Sequence, residues 1–176
     1  YGPKDDPYHR TPNWRKPYPA QEGEQLKVLV NRAKENNVIF YWAIHPGQDI
    51  RWNEEDRSLL LQKFESMYQL GVRGFAVFFD DISGEGTKAD KQAELLNYID
   101  DHFVKVKRDV APLILCPTEY NKSWTDVEGG YLTTLGDKLN EGIKVMWTGD
   151  MVVATIDKST LDFVNPLLKR KAYIWW

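Results

Sequence analysis

The chain has 176 residues, of which 42% are hydrophobic and 28% are charged, as is typical of a globular domain with a real hydrophobic core. A formal net charge of −3 with scattered basic residues argues against a general nucleic-acid binder, because phosphate binding needs a concentrated basic surface. The single cysteine, Cys116, excludes an intrachain disulfide, and no apolar run approaches the roughly 18 residues that span a membrane.

Segments of helical periodicity alternate along the chain with short apolar runs rich in β-branched and aromatic residues. The predicted order is helix 20–36, strand 38–44, helix 54–70, strand 74–79, helix 90–104, strand 111–116, helix 132–139, strand 143–147, helix 159–168 and strand 172–176. Gly71 is the expected C′ residue of the second helix, and residues 157–159 are the expected N-terminal cap region of the last. Continuous apolar strands between helices predict a parallel sheet that is covered on both faces.

Two folds compete for this pattern, an open doubly wound sheet and a closed (β/α)8 barrel. Polar, potentially reactive residues follow the first four strands, namely His45, Asp80, Asp81, Glu119, Tyr120 and Thr148. This favours the barrel, because barrel active sites collect residues from several strands at the carboxyl-terminal rim. About five of the eight strands are visible. We therefore predict an incomplete (β/α)8 TIM barrel, with residues 1–176 forming one partial catalytic barrel domain that starts and stops inside the fold.

The most distinctive feature is the pair Asp80 and Asp81, which follows the apolar strand 74–79. Strand alternation sends Asp80 to the face of Ala76 and Phe78, and Asp81 lies where the backbone turns, so both side chains can look into one cleft. Close carboxylates oppose joint ionisation, and a protonated acid beside an ionised one suits glycoside hydrolysis. Taken alone, the pair more often caps the following loop or binds a cation than carries out catalysis.

Four motifs, in this order, resemble glycoside hydrolase family 84, the O-GlcNAcases and related bacterial β-N-acetylglucosaminidases. They are YGPKDDPYHR at 1–10, FFDDI at 78–82, CPTEY at 116–120 and MWTG at 146–149. The resemblance covers nearly the whole chain and is strongest to the Bacteroides-type enzyme. Four motifs in register are far more specific than any one of them.

The resemblance implies a retaining β-N-acetylglucosaminidase that works by substrate-assisted catalysis through an oxazoline intermediate, with a glycoprotein or glycoside bearing N-acetylglucosamine as substrate. Asp80 would orient the acetamido group, and Asp81 would act as general acid and then as general base. Lys4 would reach a sugar hydroxyl, and Tyr120 would bond near the acetamido oxygen. Cys116, Thr148 and Trp175 would form the pocket for the acetamido methyl group. Each of these side chains, taken singly, is more often structural.

The resemblance implies neither a metal nor a cofactor, and His9, His45 and His102 lack the close spacing of metal ligands. His45 is expected to be a hydrogen-bonded structural residue rather than a rim residue, and Glu119 is a reserve candidate for the acid. The Bacteroides likeness favours a periplasmic or secreted protein. No nucleic-acid or membrane partner is expected.

Several groups that bind the sugar in the family are absent from the chain, including a first-strand glycine and the asparagine expected after Trp175 and Trp176. We therefore expect this piece alone to be weakly active or inactive. Two other hypotheses remain open at this stage. One is a chitinase-like hydrolase, although residues 80–82 do not match its Asp-x-Glu strand end. The other is a truncated or redesigned barrel fragment that is catalytically silent and at most binds sugar.

Overall fold

A computed structural model of the chain describes residues 6–174, which form a single parallel sheet with helices packed on one side. The helices are α1 (Ala20–Glu35), α2 (Glu54–Gln69), α3 (Ala89–Ile99), α4 (Tyr131–Lys138) and α5 (Lys158–Leu168). The strands are β1 (Tyr41–Ile44), β2 (Gly74–Phe78), β3 (Ile114–Cys116), β4 (Lys144–Trp147) and β5 (Tyr173–Ile174). All ten predicted elements are confirmed in type and order.

Three boundaries differ from the predictions by three residues or more, and the others by two at most. Strand pairing begins at Tyr41 and at Ile114, three residues later than the apolar runs suggested. Ahead of β1, Val38 and Ile39 lie exposed. The α-helical hydrogen bonding of α3 stops at Ile99 and continues as a π-helical turn over Asp100–Val104. Apolar periodicity does not distinguish this turn from an α-helix, because both keep the same side chains against the core.

The strand order is β1-β2-β3-β4-β5, and every neighbouring pair is parallel. A doubly wound sheet reverses its strand order at a switch point, whereas a barrel winds in one direction. The described strands wind in one direction without reversal, so the sheet is an incomplete (β/α)8 barrel, as predicted. Arg10 forms a further parallel bridge to His45, on the side of β1 away from β2.

The two faces of the sheet bury separate sets of residues. The larger core lies between sheet and helices, and its centre is a cluster of edge-to-face and stacked rings, Trp42, Phe64, Phe75 and Phe103, with centroids 5.0–6.4 Å apart. The smaller cluster lies on the inner face and consists of Ala43, Ala76, Phe78, Ile114, Cys116, Met146 and Tyr120. These positions alternate with the outer-core positions along each strand, as the pleat requires.

Local signals fix the ends of the helices. Asn53 caps α2, because its side-chain oxygen accepts the Asp56 N–H at 2.9 Å, and Gly71 follows the helix with a φ of +99°. Asp157 caps α5 by accepting the Thr160 N–H at 3.1 Å. The predictions of Gly71 as the C′ residue of α2 and of residues 157–159 as the cap region of α5 are both confirmed. No helix within residues 6–174 combines the length and the apolar character needed to cross a membrane.

Candidate active site

The two consecutive carboxylates lie at the carboxyl-terminal edge of the sheet, directly after β2. The Asp80 side chain is 23% exposed, whereas Asp81 is an exposed residue. Asp81 adopts a left-handed conformation with a φ of +52°, an uncommon choice that aspartate tolerates better than most residues. The turn ends the strand alternation, so the two side chains do not diverge to opposite faces. The predicted position of the pair at the rim is confirmed.

The pKa values of Cys116 and Tyr120 respond to the charges of the two carboxylates. Burial raises the pKa of the Cys116 thiol well above its usual value, and the charges of Asp80 and Asp81 add to the effect. Burial likewise raises the pKa of Tyr120 to about 12, again with contributions from both carboxylates. Both carboxylates therefore lie near Cys116 and Tyr120, which belong to the buried cluster on the inner face of the sheet. The thiol and the phenol therefore stay protonated at neutral pH, and a thiolate nucleophile is ruled out there.

One oxygen of Asp80 is left without a hydrogen bond. Among the described residues nothing donates a hydrogen bond to its buried Oδ1, although His45 Nε2 lies 3.5 Å from it. A buried acceptor without a partner is costly, and native proteins keep few of them. The Asp80 side chain is nevertheless 23% exposed, so the carboxylate combines a buried, unsatisfied oxygen with a part that is open to solvent.

His45 follows β1 and lies beside Asp80. Its Nε2 is 2.7 Å from the main-chain oxygen of Asp80, and because a carbonyl oxygen can only accept, Nε2 carries the hydrogen. Burial alone would lower the pKa of His45, but the hydrogen bonds and charge of Asp80 outweigh it and raise the pKa, while the charge of Arg10 opposes them. The sequence placed a hydrogen-bonded structural role above a rim position, and the structure gives His45 both.

Thr148 follows β4 and ties the loops after β3 and β4 together. Its main-chain N–H donates to the main-chain oxygen of Tyr120 at 3.0 Å, and its hydroxyl donates to the main-chain oxygen of Met151 at 2.9 Å. The Tyr120 ring meets the Trp124 ring edge-on, with centroids 5.0 Å apart, and Trp124 is half exposed. The loop that Thr148 holds continues into the exposed residues Met151, Val152 and Val153. An apolar surface therefore borders the cleft on the side of β3 and β4.

Other predicted residues fall away from the carboxylate pair or outside the described part of the chain. Glu119 is half-buried, accepts the Asp126 N–H at 3.2 Å and has its pKa raised by burial. Lys4 and Trp175, predicted to bind the sugar, lie outside the described residues. Within residues 6–174 no cluster of three or more acidic, histidine or cysteine side chains is arranged to hold a metal ion.

A buried polar network behind Asp80 was not foreseen from the sequence. The Thr118 hydroxyl donates to the Phe79 oxygen at 2.9 Å and accepts from Gln92 Nε2 at 2.8 Å. Tyr131 accepts the Thr118 N–H at 2.7 Å and donates to Gln92 Oε1. The one available signal was Gln92 itself, a polar residue beside the apolar stripe of α3, where it is fully buried.

A sheet that winds in one direction and carries two consecutive carboxylates at its carboxyl-terminal edge is the arrangement of a barrel glycoside hydrolase. The family model described as beta-N-acetylglucosaminidase, NAGidase, matches residues 1–176, which is the whole chain. The chain therefore belongs to this family of hydrolases, glycoside hydrolase family 84, and the resemblance drawn from its motifs is confirmed.

Relatives and solved structures agree with this assignment. The chain is 36% identical over 185 residues to Protein O-GlcNAcase of Rattus norvegicus and, equally, to that of Mus musculus; in each case the match covers 99% of the chain and 20% of the relative. The structure of CpGH84B superimposes with a TM-score of 0.93 at 39% identity, and covers 100% of the chain and 32% of its own. A mutant of Thermobaculum terrenum O-GlcNAc hydrolase gives a TM-score of 0.89 at 30% identity. That match covers 99% of the present chain and 39% of the hydrolase chain. The chain thus spans a fifth of the length of these curated relatives.

Proposed function

We propose that the protein containing this chain is a retaining hydrolase of β-linked N-acetylglucosamine, and that the acetamido group of the substrate is its nucleophile. The observation that carries the proposal is the pair of consecutive carboxylates beside Tyr120, in which Asp80 is partly exposed and incompletely hydrogen-bonded and Asp81 is exposed. An acetamido N–H is a donor of the kind that the Asp80 carboxylate lacks. Membership of the β-N-acetylglucosaminidase family supports the choice of sugar.

In the first step the acetamido oxygen attacks the anomeric carbon, and the bond from that carbon to the leaving oxygen breaks. Asp80 accepts the acetamido N–H, which directs the attacking oxygen and stabilises positive charge on the forming oxazolinium ring. Asp81 gives its proton to the leaving oxygen as general acid. Its exposure suits this role, because the leaving group must depart from the open side of the cleft.

In the second step water adds to the anomeric carbon and reopens the oxazoline. Asp81, now ionised, takes a proton from the attacking water, and the electron pair of the breaking ring bond returns to the acetamido oxygen. Two inversions at one carbon leave the product with the configuration of the substrate. This scheme needs no covalent bond between enzyme and sugar, and so differs from the usual pair of carboxylates in which one is a nucleophile.

The residues beside the two carboxylates are proposed to contact the acetamido group of the sugar. Tyr120 keeps its proton up to a pH of about 12, so its hydroxyl is available as a donor to the acetamido oxygen throughout the physiological range. Cys116 and Thr148 are buried beside the cleft, where small side chains leave room for a methyl group. Lys4 and Trp175 complete the proposed set. The exposed surface of Trp124 and residues 151–153 would meet the group attached to the sugar.

The test compares Asp80→Asn and Asp81→Asn in the full-length protein, on aryl N-acetylglucosaminides whose phenols span a wide range of acidity. Asp81→Asn should lose most activity on poor leaving groups and much less on acidic phenols, which depart without a proton. Asp80→Asn should be slow on all of them, because the amide lacks the negative charge that stabilises the forming oxazolinium ring. Asp90→Asn, an exposed carboxylate in the first turn of α3, is the matched control.

Proton NMR of the first product formed gives a second test. The β-anomer should appear before mutarotation, whereas first appearance of the α-anomer would exclude the oxazoline route. If both Asp80→Asn and Asp81→Asn hydrolyse every substrate as fast as the parent, the proposed function is wrong.

A further inference from the structure

The main chain around Asp80 is held by side chains and not by the sheet. The last main-chain bond to β3 in this stretch runs from the Phe79 N–H to the Cys116 oxygen, at 2.9 Å. Beyond it, the Phe79 oxygen accepts from the Thr118 hydroxyl at 2.9 Å, and the Asp80 oxygen accepts from His45 Nε2 at 2.7 Å. The two carbonyl groups on either side of the Asp80 side chain are therefore bonded by residues that follow β3 and β1.

Each of the two donors is itself fixed. Thr118 belongs to the buried network with Gln92 and Tyr131. The Gln92 amide donates to the Thr118 hydroxyl at 2.8 Å and to the main-chain oxygen of Gly86 at 2.7 Å. The Tyr131 hydroxyl accepts the main-chain N–H of Thr118. His45 is held by its own N–H, which donates to the His9 oxygen at 2.7 Å. A donor that is already oriented loses little freedom when it fixes its acceptor, so both contacts favour one backbone geometry.

That geometry decides the direction of both carboxylates. The peptide group between Asp80 and Asp81 carries the oxygen that His45 binds, and Asp81 takes up the left-handed conformation directly after it. Left-handed backbone costs energy in a residue other than glycine and persists only where its surroundings impose it. Rotation of this peptide group would turn Asp80 away from its neighbours and Asp81 away from the leaving group.

We propose that His45 and Thr118 are positioning residues, which bond the carbonyl oxygens of Asp80 and Phe79 and thereby fix the relative directions of the two catalytic carboxylates. Neither residue is assigned a contact with the sugar. The proposal rests on the function proposed above, because it concerns the same two carboxylates. It adds that the network of Thr118, Gln92 and Tyr131 serves catalysis from behind the sheet.

The test uses the full-length protein and pairs each disruptive substitution with a conservative one. Thr118→Val removes the hydroxyl at nearly constant volume, and Thr118→Ser retains it. His45→Leu removes the donor, and His45→Gln offers an amide N–H at similar reach. The controls are Thr87→Val, which deletes an exposed hydroxyl bonded to the Gly84 oxygen at 2.8 Å, and Gln48→Ala, an exposed residue three positions after His45.

We expect Thr118→Val and His45→Leu to lower kcat by roughly tenfold to a hundredfold, since small misplacements of catalytic groups have effects of about this size. The KM and the Kd for N-acetylglucosamine should change by less than about threefold, because ground-state binding does not need the exact carboxylate directions. The inhibition constant of a stable bicyclic analogue of the oxazoline should rise in parallel with the loss of kcat. Thr118→Ser and His45→Gln should recover most of the activity, and both controls should match the parent.

A merely structural role gives a different result. If folded Thr118→Val and His45→Leu keep the parental kcat and lose only thermal stability, the proposal is overturned. Tyr131→Phe keeps the test decisive should Thr118→Val fail to fold, because it weakens the support of Thr118 without touching the rim. A folded Tyr131→Phe with parental kcat and parental analogue affinity overturns the Thr118 part, and His45→Gln with a hundredfold loss overturns the His45 part. A parent protein that shows no turnover overturns the proposed function instead, and the positioning roles with it.

Discussion

Asp56, in a helix, and Asp80, just after the end of a strand, are two carboxylates that the fold surrounds in opposite ways. Asp56, in the first turn of α2, is fully buried and accepts hydrogen bonds from Arg15 at 2.7 and 2.9 Å and from Arg51 at 2.6 and 2.8 Å. Burial alone would raise its pKa, but the bonds from the two arginines outweigh burial and hold the pKa far below the ordinary range. Asp80 has a buried oxygen with no donor among residues 6–174.

The difference separates a carboxylate that stabilises the fold from one for which we propose a ligand. The donors to Asp56 join three segments, since Arg15 comes from the segment before α1 and also binds Asp49 at 2.8 Å, while Arg51 precedes α2. The fold supplies Asp80 with fixed surroundings but with an incomplete set of donors. A deficit of this kind costs stability and persists where function requires it.

The largest effect is expected from Asp56→Asn. Removing one partner of a buried, hydrogen-bonded ion pair leaves the other charge uncompensated and costs on the order of 3 kcal/mol. Urea unfolding should therefore show a lower midpoint, with kcat per folded molecule unchanged. Glu55→Gln is the control, because Glu55 is exposed and its contact with Arg51 should contribute less than about 1 kcal/mol. Equal effects of the two substitutions would contradict the comparison.

The contribution of Asp56 should also depend on pH in a defined direction. Its pKa is lower in the folded state than in the unfolded state, so its stabilising effect is complete above about pH 4, the ordinary value of an aspartate, and is lost as the pH falls further toward the folded pKa. The difference in unfolding free energy between the parent and Asp56→Asn should shrink progressively below about pH 4. Unfolding curves between pH 7 and pH 2.5 measure it, and a constant difference across that range would argue against the ion pairs.

Asp80→Asn should give the converse result. The free energy of unfolding should stay within about 0.5 kcal/mol of the parent, since no strong partner is lost. The kcat should fall by about a hundredfold, the usual size of the effect when one group that stabilises a developing charge is removed. Thermal unfolding and steady-state kinetics on one preparation measure both. A loss of stability comparable to that of Asp56→Asn would show that Asp80 is a structural carboxylate as well.

A smaller effect on stability is expected from Gly136→Ala, far from the cleft. A Cβ at Gly136 would lie 2.4 Å from the Leu167 oxygen, where α4 crosses α5. Alanine favours a helix, but overpacking against main-chain atoms should outweigh this and cost about 1–3 kcal/mol. Gly142→Ala is the control, because a Cβ there meets nothing within 4 Å. Comparable midpoints for the two alanine variants would show that α4 and α5 can separate at little cost.

The smallest effect is expected at Tyr120. Since its pKa is raised to about 12, ionisation of Tyr120 should not limit the rate at any pH below about 11. Tyr120→Phe should lower kcat by about threefold to tenfold through loss of one hydrogen bond, and it should leave the midpoint of the alkaline limb in place. The pH profiles of kcat for the two proteins measure this. A shift of the alkaline limb in the variant would show that Tyr120 titrates during catalysis.

The sequence was sufficient for the elements and for part of the site. Apolar runs and helical periodicity predicted all ten elements, because most strand residues are buried and the helices turn apolar residues toward the sheet. Strand alternation placed Asp80 inward, and motifs in register supplied the family. What no pattern could supply was the direction of the Asp80 main chain, since it depends on His45 and Thr118, which lie 35 and 38 residues away in the chain. Contacts between polar residues of different elements leave no periodic trace.

Gly47, in the loop after β1, and Gly86, in the loop after β2, approach each other closely at the edge of the sheet. A Cβ at Gly86 would lie only 2.0 Å from the Gly47 oxygen, and one at Gly47 would collide with Phe79 and Ile82 at 2.6 Å. The loops that follow β1 and β2 therefore touch through main-chain atoms at these glycines, with the Ile82 side chain packed beside the contact. Because main-chain atoms in direct contact have little room to slide, we expect the imidazole of His45 and the two carboxylates to shift together when either loop moves.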